Sequence, residues 1–101
     1  MKVYYNIWLP KDDIIYYRFK NLLENEERFF EVIEAVKNTD IEKAKEFVKR
    51  YEYKQKTSRR FRFSIKQLKE LMKKAKKSKS SLEAFVVAVA LKDKEENLKS
   101  N

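Results

Sequence analysis

The sequence predicts an α+β, helix-rich fold made of strand-helix-helix units, and three observations carry that prediction. Lys2 to Leu9 alternates in character residue by residue, as a strand with one buried face does. Segments beginning at Thr39, Ser64 and Ser80 each carry a capping box, a Ser or Thr followed three residues later by Glu or Gln, just ahead of a helical stretch. The chain of 101 residues has no Gly and one Pro, so its turns fall to Asn, Asp and Ser, which tolerate strained backbone or cap helices.

In the first strand Val3, Tyr5, Ile7 and Leu9 share one side, and Lys2, Tyr4, Asn6 and Trp8 the other. Pro10 ends it, because it cannot donate to a ladder and suits the first turn of a helix. A helix is expected from about Lys11, with Asp12 and Asp13 at its positive end and Ile15, Phe19 and Leu22 as its apolar stripe. Asn25-Glu26-Glu27 interrupts the pattern and reads as a helix restart, after which Phe29, Phe30, Ile33 and Val36 supply the stripe. Asn38-Thr39-Asp40 closes that piece, and the box Thr39-Asp40-Ile41-Glu42 starts a helix running to about Arg50.

Two readings compete for residues 50–65. Tyr51, Tyr53, Phe61, Phe63 and Ile65 alternate with charged or polar residues, which suits a hairpin turning at Lys56-Thr57-Ser58. Alternatively only Arg59 to Ser64 is extended. Ser64-Ile65-Lys66-Gln67 then opens a helix to about Lys77, with Ile65, Leu68, Leu71, Met72 and Ala75 facing the core. In Leu82 to Leu91, Val86, Val87 and Val89 suit a buried strand. The box at Ser80 to Glu83 and the alanines favour a helix there, and helix is the preferred reading. Residues 96–101 are expected to fray, and 1–101 to form a single domain.

Composition narrows the function classes. Without Cys or His there is no disulfide framework and no ordinary zinc site, and without Gly there is no phosphate-cradling loop or dinucleotide fingerprint. No carboxylate set with a metal-nuclease spacing is singled out, so the expectation is a protein that is not an enzyme and uses no cofactor. The start lacks a cleavable apolar core, and the longest apolar run, Ala84 to Leu91, is too short to span a bilayer. A soluble, cytoplasmic protein with no membrane partner is therefore expected. Charged residues make up 41%, mostly Lys and Glu, a balance seen in hyperthermophile proteins, although six Asn residues point the other way.

The positive charge is concentrated. Lys54 to Lys79 holds twelve Lys or Arg against the single acid Glu70, a net of +11 in a chain whose total is +9. Such a block suits a polyanion, most simply a nucleic acid, because each neutralised phosphate releases counterions. Arg59, Arg60 and Arg62 are the leading candidates for contact, since guanidinium forks match phosphate or guanine geometry. Lys69, Lys73, Lys76 and Lys77, on the helix face opposite the core, would add phosphate attraction. Tyr51 and Tyr53 are the aromatics best placed for stacking on bases, while Tyr4, Tyr5, Trp8, Tyr16, Tyr17 and these two are all read first as core and sheet surface.

Strand, helix and helix occur at 2–37 and again at 59–95. The second copy, Arg60-Phe61-Arg62-Phe63-Ser64 followed by a basic amphipathic helix, a Ser-rich turn and an apolar helix, resembles a ribbon-helix-helix unit. The first copy, Asn6-Ile7-Trp8-Leu9-Pro10 entering a helix, resembles that family's Leu-Pro step. The resemblance implies an antiparallel ribbon whose outward side chains enter the DNA major groove. Arg60, Arg62 and Ser64 hold the matching positions, and Lys2, Tyr4 and Asn6 are their first-copy equivalents. It also implies a phosphate at the N-terminus of the second helix, where Ser80 and Ser81 lie, and it admits a homodimer. The Gly usual between the helices is missing, and residues 38–58 have no counterpart in the simple members.

The competing architecture is a ferredoxin-like βαββαβ sheet with strands at 2–9, 50–55, 59–65 and 82–91. Composition is also similar to that of the small proteins of thermophilic archaeal viruses, which would place the chain in a host cytoplasm. The leading expectation is a non-enzymatic nucleic-acid-binding protein, a small transcription regulator by resemblance, with DNA favoured over RNA. The second is a virus-encoded protein-interaction module whose basic face inhibits a host defence complex.

Overall fold

The computed structural model describes residues 1–51 and 55–99, with side chains described through Asp93. Two nine-residue strands, β1 (Lys2–Pro10) and β2 (Lys56–Ser64), pair antiparallel along their whole length, from Lys2 opposite Ser64 to Pro10 opposite Lys56. Between them run α1 (Asp13–Leu23), α2 (Glu26–Ala35) and α3 (Asn38–Lys49). After β2 come α4 (Ile65–Lys77) and α5 (Leu82–Lys99).

Local chemistry accounts for most of the boundaries. Pro10, without an N–H, falls at the last position of β1, and the Lys11 N–H donates to the Gln55 carbonyl at 2.7 Å just beyond it. The Asp12 carboxylate accepts from the Ile15 N–H at 3.1 Å and caps α1. Asn25 does the same for α2 through the Arg28 N–H at 3.2 Å, so the helix restart read from Asn25 is present. Ser64 Oγ accepts from the Gln67 N–H at 3.0 Å while Gln67 Oε1 accepts from the Ser64 N–H at 2.8 Å. This is the complete reciprocal box that the sequence signalled.

Two other helix starts differ from expectation. Helix α3 begins at Asn38, because Asp40 reaches back to accept from the Lys37 N–H at 2.7 Å and so closes the helix two residues earlier than Thr39 would. Helix α5 is capped by Ser81, whose Oγ accepts from the Ala84 N–H at 3.1 Å, and not by Ser80. In the preceding turn Lys79 adopts φ 56°, the left-handed conformation in which Gly is usual, and the Ser80 N–H donates to the Ala75 carbonyl at 3.2 Å. A β-carbon in that conformation costs about 1–2 kcal/mol, which here falls on a lysine.

The core is organised around α5. Ala84 to Ala90, seven consecutive residues, are all buried, so the helix is apolar on every side and must be surrounded. Helices α1, α2, α3 and α4 and strand β1 all pack against it. Beneath the ribbon, Phe19, Phe61 and Phe63 meet with ring centroids 5.1–6.3 Å apart, and Phe29 joins Phe19 at 6.2 Å. Edge-on packing of this kind adds about 0.5–1.5 kcal/mol per pair beyond the area it buries.

The ferredoxin-like alternative is overturned. Among the described residues the sheet has two strands, and 82–91 is helical, because all-round burial combined with the Ser81 cap outweighs the strand preference of the valines. The hairpin turn at Lys56-Thr57-Ser58 is also absent, since those residues pair with Pro10, Leu9 and Trp8 as part of β2. The extended segment is accordingly longer than the alternative Arg59–Ser64. Most of the expected strand at 50–55 falls on residues 52–54, outside the described residues. On α4 Ile65 is exposed and Gln67 is fully buried in its place. Helix α5 continues to Lys99, into the stretch expected to fray.

Candidate nucleic-acid interface

The alternation of a strand sends neighbouring side chains of the ribbon to opposite fates. Ile7, Leu9, Phe61 and Phe63 point inward and are buried. The other face carries Lys2, Tyr4, Asn6 and Trp8 from β1 and Ser58, Arg60 and Arg62 from β2, all exposed. Register sets Tyr4 opposite Arg62, Asn6 opposite Arg60, and Trp8 opposite Ser58. No acidic residue lies on this face of either strand.

Arg60 and Arg62 stand where the sequence placed them, on the outward face. Arg60 leans diagonally across the ribbon, with its guanidinium carbon 4.3 Å from the centroid of the Tyr4 ring. Arg59 has a different position. It shares the parity of Phe61 and Phe63, turns under the ribbon, and is held at 3.1 Å from Asp13 and 4.4 Å above the Tyr16 ring. Its Nε is buried without a hydrogen-bond partner among the described residues. The three arginines therefore divide into one that fastens β2 to α1 and two that face solvent.

Lys69, Lys73, Lys76 and Lys77 are all exposed along α4, which leaves the end of β2 and extends about 20 Å. They form a basic flank that begins at the ribbon's end, with no hydrogen bond or ring contact joining them to Arg60 or Arg62 among the described residues. Lys66 lies over the Phe30 ring at 5.1 Å, and Lys74 pairs with Glu34 on α2. The hydrogen bond and charge of Lys74 hold the Glu34 carboxyl below its ordinary range.

A groove of about 560 Å³ runs between the ribbon and α1. Lys2, Lys20, Arg60 and Arg62 supply cations to its walls, and Tyr4 and Tyr16 supply rings. Glu24 is the one acid in the wall.

The aromatic residues are distributed differently from the expectation. Tyr51 stacks on Phe47 at 5.3 Å, and its hydroxyl donates to Asp12 at 3.0 Å, which raises its pKa above the usual 10.0. Tyr53 lies outside the described residues. The rings open to solvent beside the arginines are instead Trp8, 63% exposed, and Tyr4, 60% exposed. Their even parity in β1, shared with Lys2 and Asn6, is visible in the sequence. Near Ser80 and Ser81, where the resemblance implies a phosphate, the structure has local contacts of its own. Ser81 caps the helix, and Glu83 in the first turn pairs with Lys56 at 3.0 Å, which adds an acid to that helix start.

No family model, curated protein or solved structure matches this chain. No described helix is long and apolar enough to cross a membrane. The reading of the site therefore rests on its own geometry.

Proposed function

We propose that this chain is a non-enzymatic nucleic-acid-binding protein that engages its ligand with the outward face of the β1–β2 ribbon. The observation that carries this reading is the acid-free outer face with Arg60 and Arg62 at its centre, continued by the exposed lysines of α4. Counterion release favours phosphate at such a surface, and the two guanidinium groups can fork onto phosphate oxygens or base edges. A role as a small transcription regulator, which the ribbon-helix-helix resemblance implies, would require duplex DNA as the preferred ligand.

The test is fluorescence anisotropy with labelled nucleic acid at several salt concentrations, for the native protein and the double variant Arg60→Ala/Arg62→Ala. Native binding is expected to weaken by about 0.9 log units per log unit of salt for each duplex phosphate engaged. The double variant should lose at least tenfold in affinity while keeping its helical circular dichroism. Unchanged affinity in that variant removes the ribbon from the site. Binding partners retained after nuclease treatment would instead favour a protein-docking role for the basic face.

A further inference from the structure

The proposed surface carries more than charge. Trp8 and Tyr4 stand on the same face as Arg60 and Arg62, and each exposes well over half its surface to solvent. An indole costs free energy when left in water, and the same strand buries Ile7 and Leu9 on its other side. The cross-strand neighbour of Trp8 is Ser58, small and itself exposed, so the partner opposite the indole is too short to cover it. Tyr4 is already stacked by the Arg60 guanidinium, while 60% of the residue remains open.

Spacing adds to this. Four residues of strand separate Tyr4 from Trp8 by about 13 Å. That is several times the ~3.4 Å rise between stacked bases on one strand, so no single base can touch both rings. The two aromatics are separate platforms, with the Arg60 plane beside the first. Cations line the groove alongside, where Lys2, Lys20 and Arg62 can follow a phosphate backbone.

Resting on the nucleic-acid reading above, we infer that the preferred ligand is an unpaired strand, with one base stacked on Trp8 and a second on Tyr4 and its Arg60. Paired bases present only their edges in a groove, whereas unpaired ones present the flat faces that these rings can meet. Stacking of this kind tolerates any base, because every base has a π-face, so little sequence preference is expected.

Trp8 is the only tryptophan in the chain, which makes intrinsic fluorescence a direct reporter of this position. Oligothymidine, oligouridine and a mixed-sequence duplex would be titrated into the 101-residue chain at low salt, with anisotropy of labelled strands measured in parallel. The expected result is quenching of Trp8 by a single strand, with at least tenfold tighter binding than to duplex. The thymidine and uridine arms identify which sugar is preferred. Trp8→Ala should weaken single-strand binding by about 5- to 150-fold, and Trp8→Phe should recover most of that loss. Because Trp8 is largely exposed, both variants are expected to fold, which circular dichroism checks.

Duplex binding that is as tight as single-strand binding, leaves Trp8 fluorescence unchanged and is insensitive to Trp8→Ala would overturn the stacking inference. Dependence of that same binding on Arg60 and Arg62 would leave the broader nucleic-acid reading standing. Absence of binding to all three ligands at low salt would overturn both.

Discussion

Ile7 and Phe61 lie beneath the ribbon, while their sequence neighbours Trp8 and Arg60 lie above it. The two faces share a backbone and a hydrogen-bond ladder, yet they serve opposite ends. The inner face is a packed aromatic layer against α1 and α5, anchored at its margin by Arg59 on Asp13 and Tyr16. The outer face holds bulky aromatic and cationic side chains that the rest of the molecule does not cover. Residues on the inner face are constrained by stability. Those on the outer face are large, aromatic and basic without being packed into the core, and the proposed interface rests on that contrast.

The sharpest way to break the comparison is a matched pair of truncations. Phe61→Ala should cost about 3–5 kcal/mol in chemical denaturation, since it leaves a cavity among Phe19, Phe63 and Tyr16. Trp8→Ala, although it removes a larger side chain, should stay within about 0.5 kcal/mol of native stability. Similar losses from the two would mean that the faces are not divided as described.

The ends of the ribbon offer the next test. At one end Gln67, fully buried, accepts from the Ser64 N–H and donates from Nε2 to the Leu23 carbonyl at 2.9 Å, tying the β2–α4 corner to the end of α1. Gln67→Leu removes the partner of the buried Leu23 carbonyl and of the half-buried Ser64 N–H and should cost about 1–3 kcal/mol by urea denaturation, with no loss of nucleic-acid binding per folded molecule.

At the other end the hydroxyl of Tyr51 donates to Asp12, the residue that caps α1. Tyr51→Phe should cost about 1 kcal/mol at neutral pH. The folded pKa of Tyr51 lies above the unfolded value, so this contribution is complete below about pH 10 and lost as pH rises through the folded value. Thermal melts across the alkaline range should therefore fall more steeply for the native protein than for the variant.

The smallest expected effect is a gain. Lys79→Gly relieves the left-handed backbone between α4 and α5 and should raise stability by about 1 kcal/mol in the same denaturation assay. Binding should change little beyond the loss of one exposed lysine.

Features that depend on a few neighbouring residues were legible in the sequence. The box at Ser64 and Gln67, the break at Asn25, the end of β1 at Pro10 and the stripe Ile15, Phe19 and Leu22 are all set by local spacing, and all are present. Features that depend on distant partners were not. Lys56-Thr57-Ser58 looks like a polar turn until β1 is laid beside it, because a nine-residue partner extends the ladder that far. Ile65 and Gln67 exchange roles because the buried end of α1 offers a carbonyl to an amide and not to an alkyl group. Arg59 was grouped with Arg60 and Arg62 by adjacency, although its odd parity, shared with Phe61 and Phe63, already separated it. The exposure of Trp8 and Tyr4 follows the same parity, since they share a side with Lys2 and Asn6 and not with Ile7 and Leu9, but aromatic character alone suggests core.

The ribbon also has a consequence in time. Its pairs join residues between 46 and 62 positions apart, Pro10 with Lys56 at one end and Lys2 with Ser64 at the other. During synthesis at about 5–20 residues per second, β1 waits some 2–12 s for its partner to be made. Three helices can form in that interval, but the inner face of β1 has no strand to pair with and α5 does not yet exist to receive it. The outer face is therefore assembled only after β2, which ends at Ser64, has been made. A nascent chain halted before β2 would carry β1 as an open edge and would present no basic ribbon.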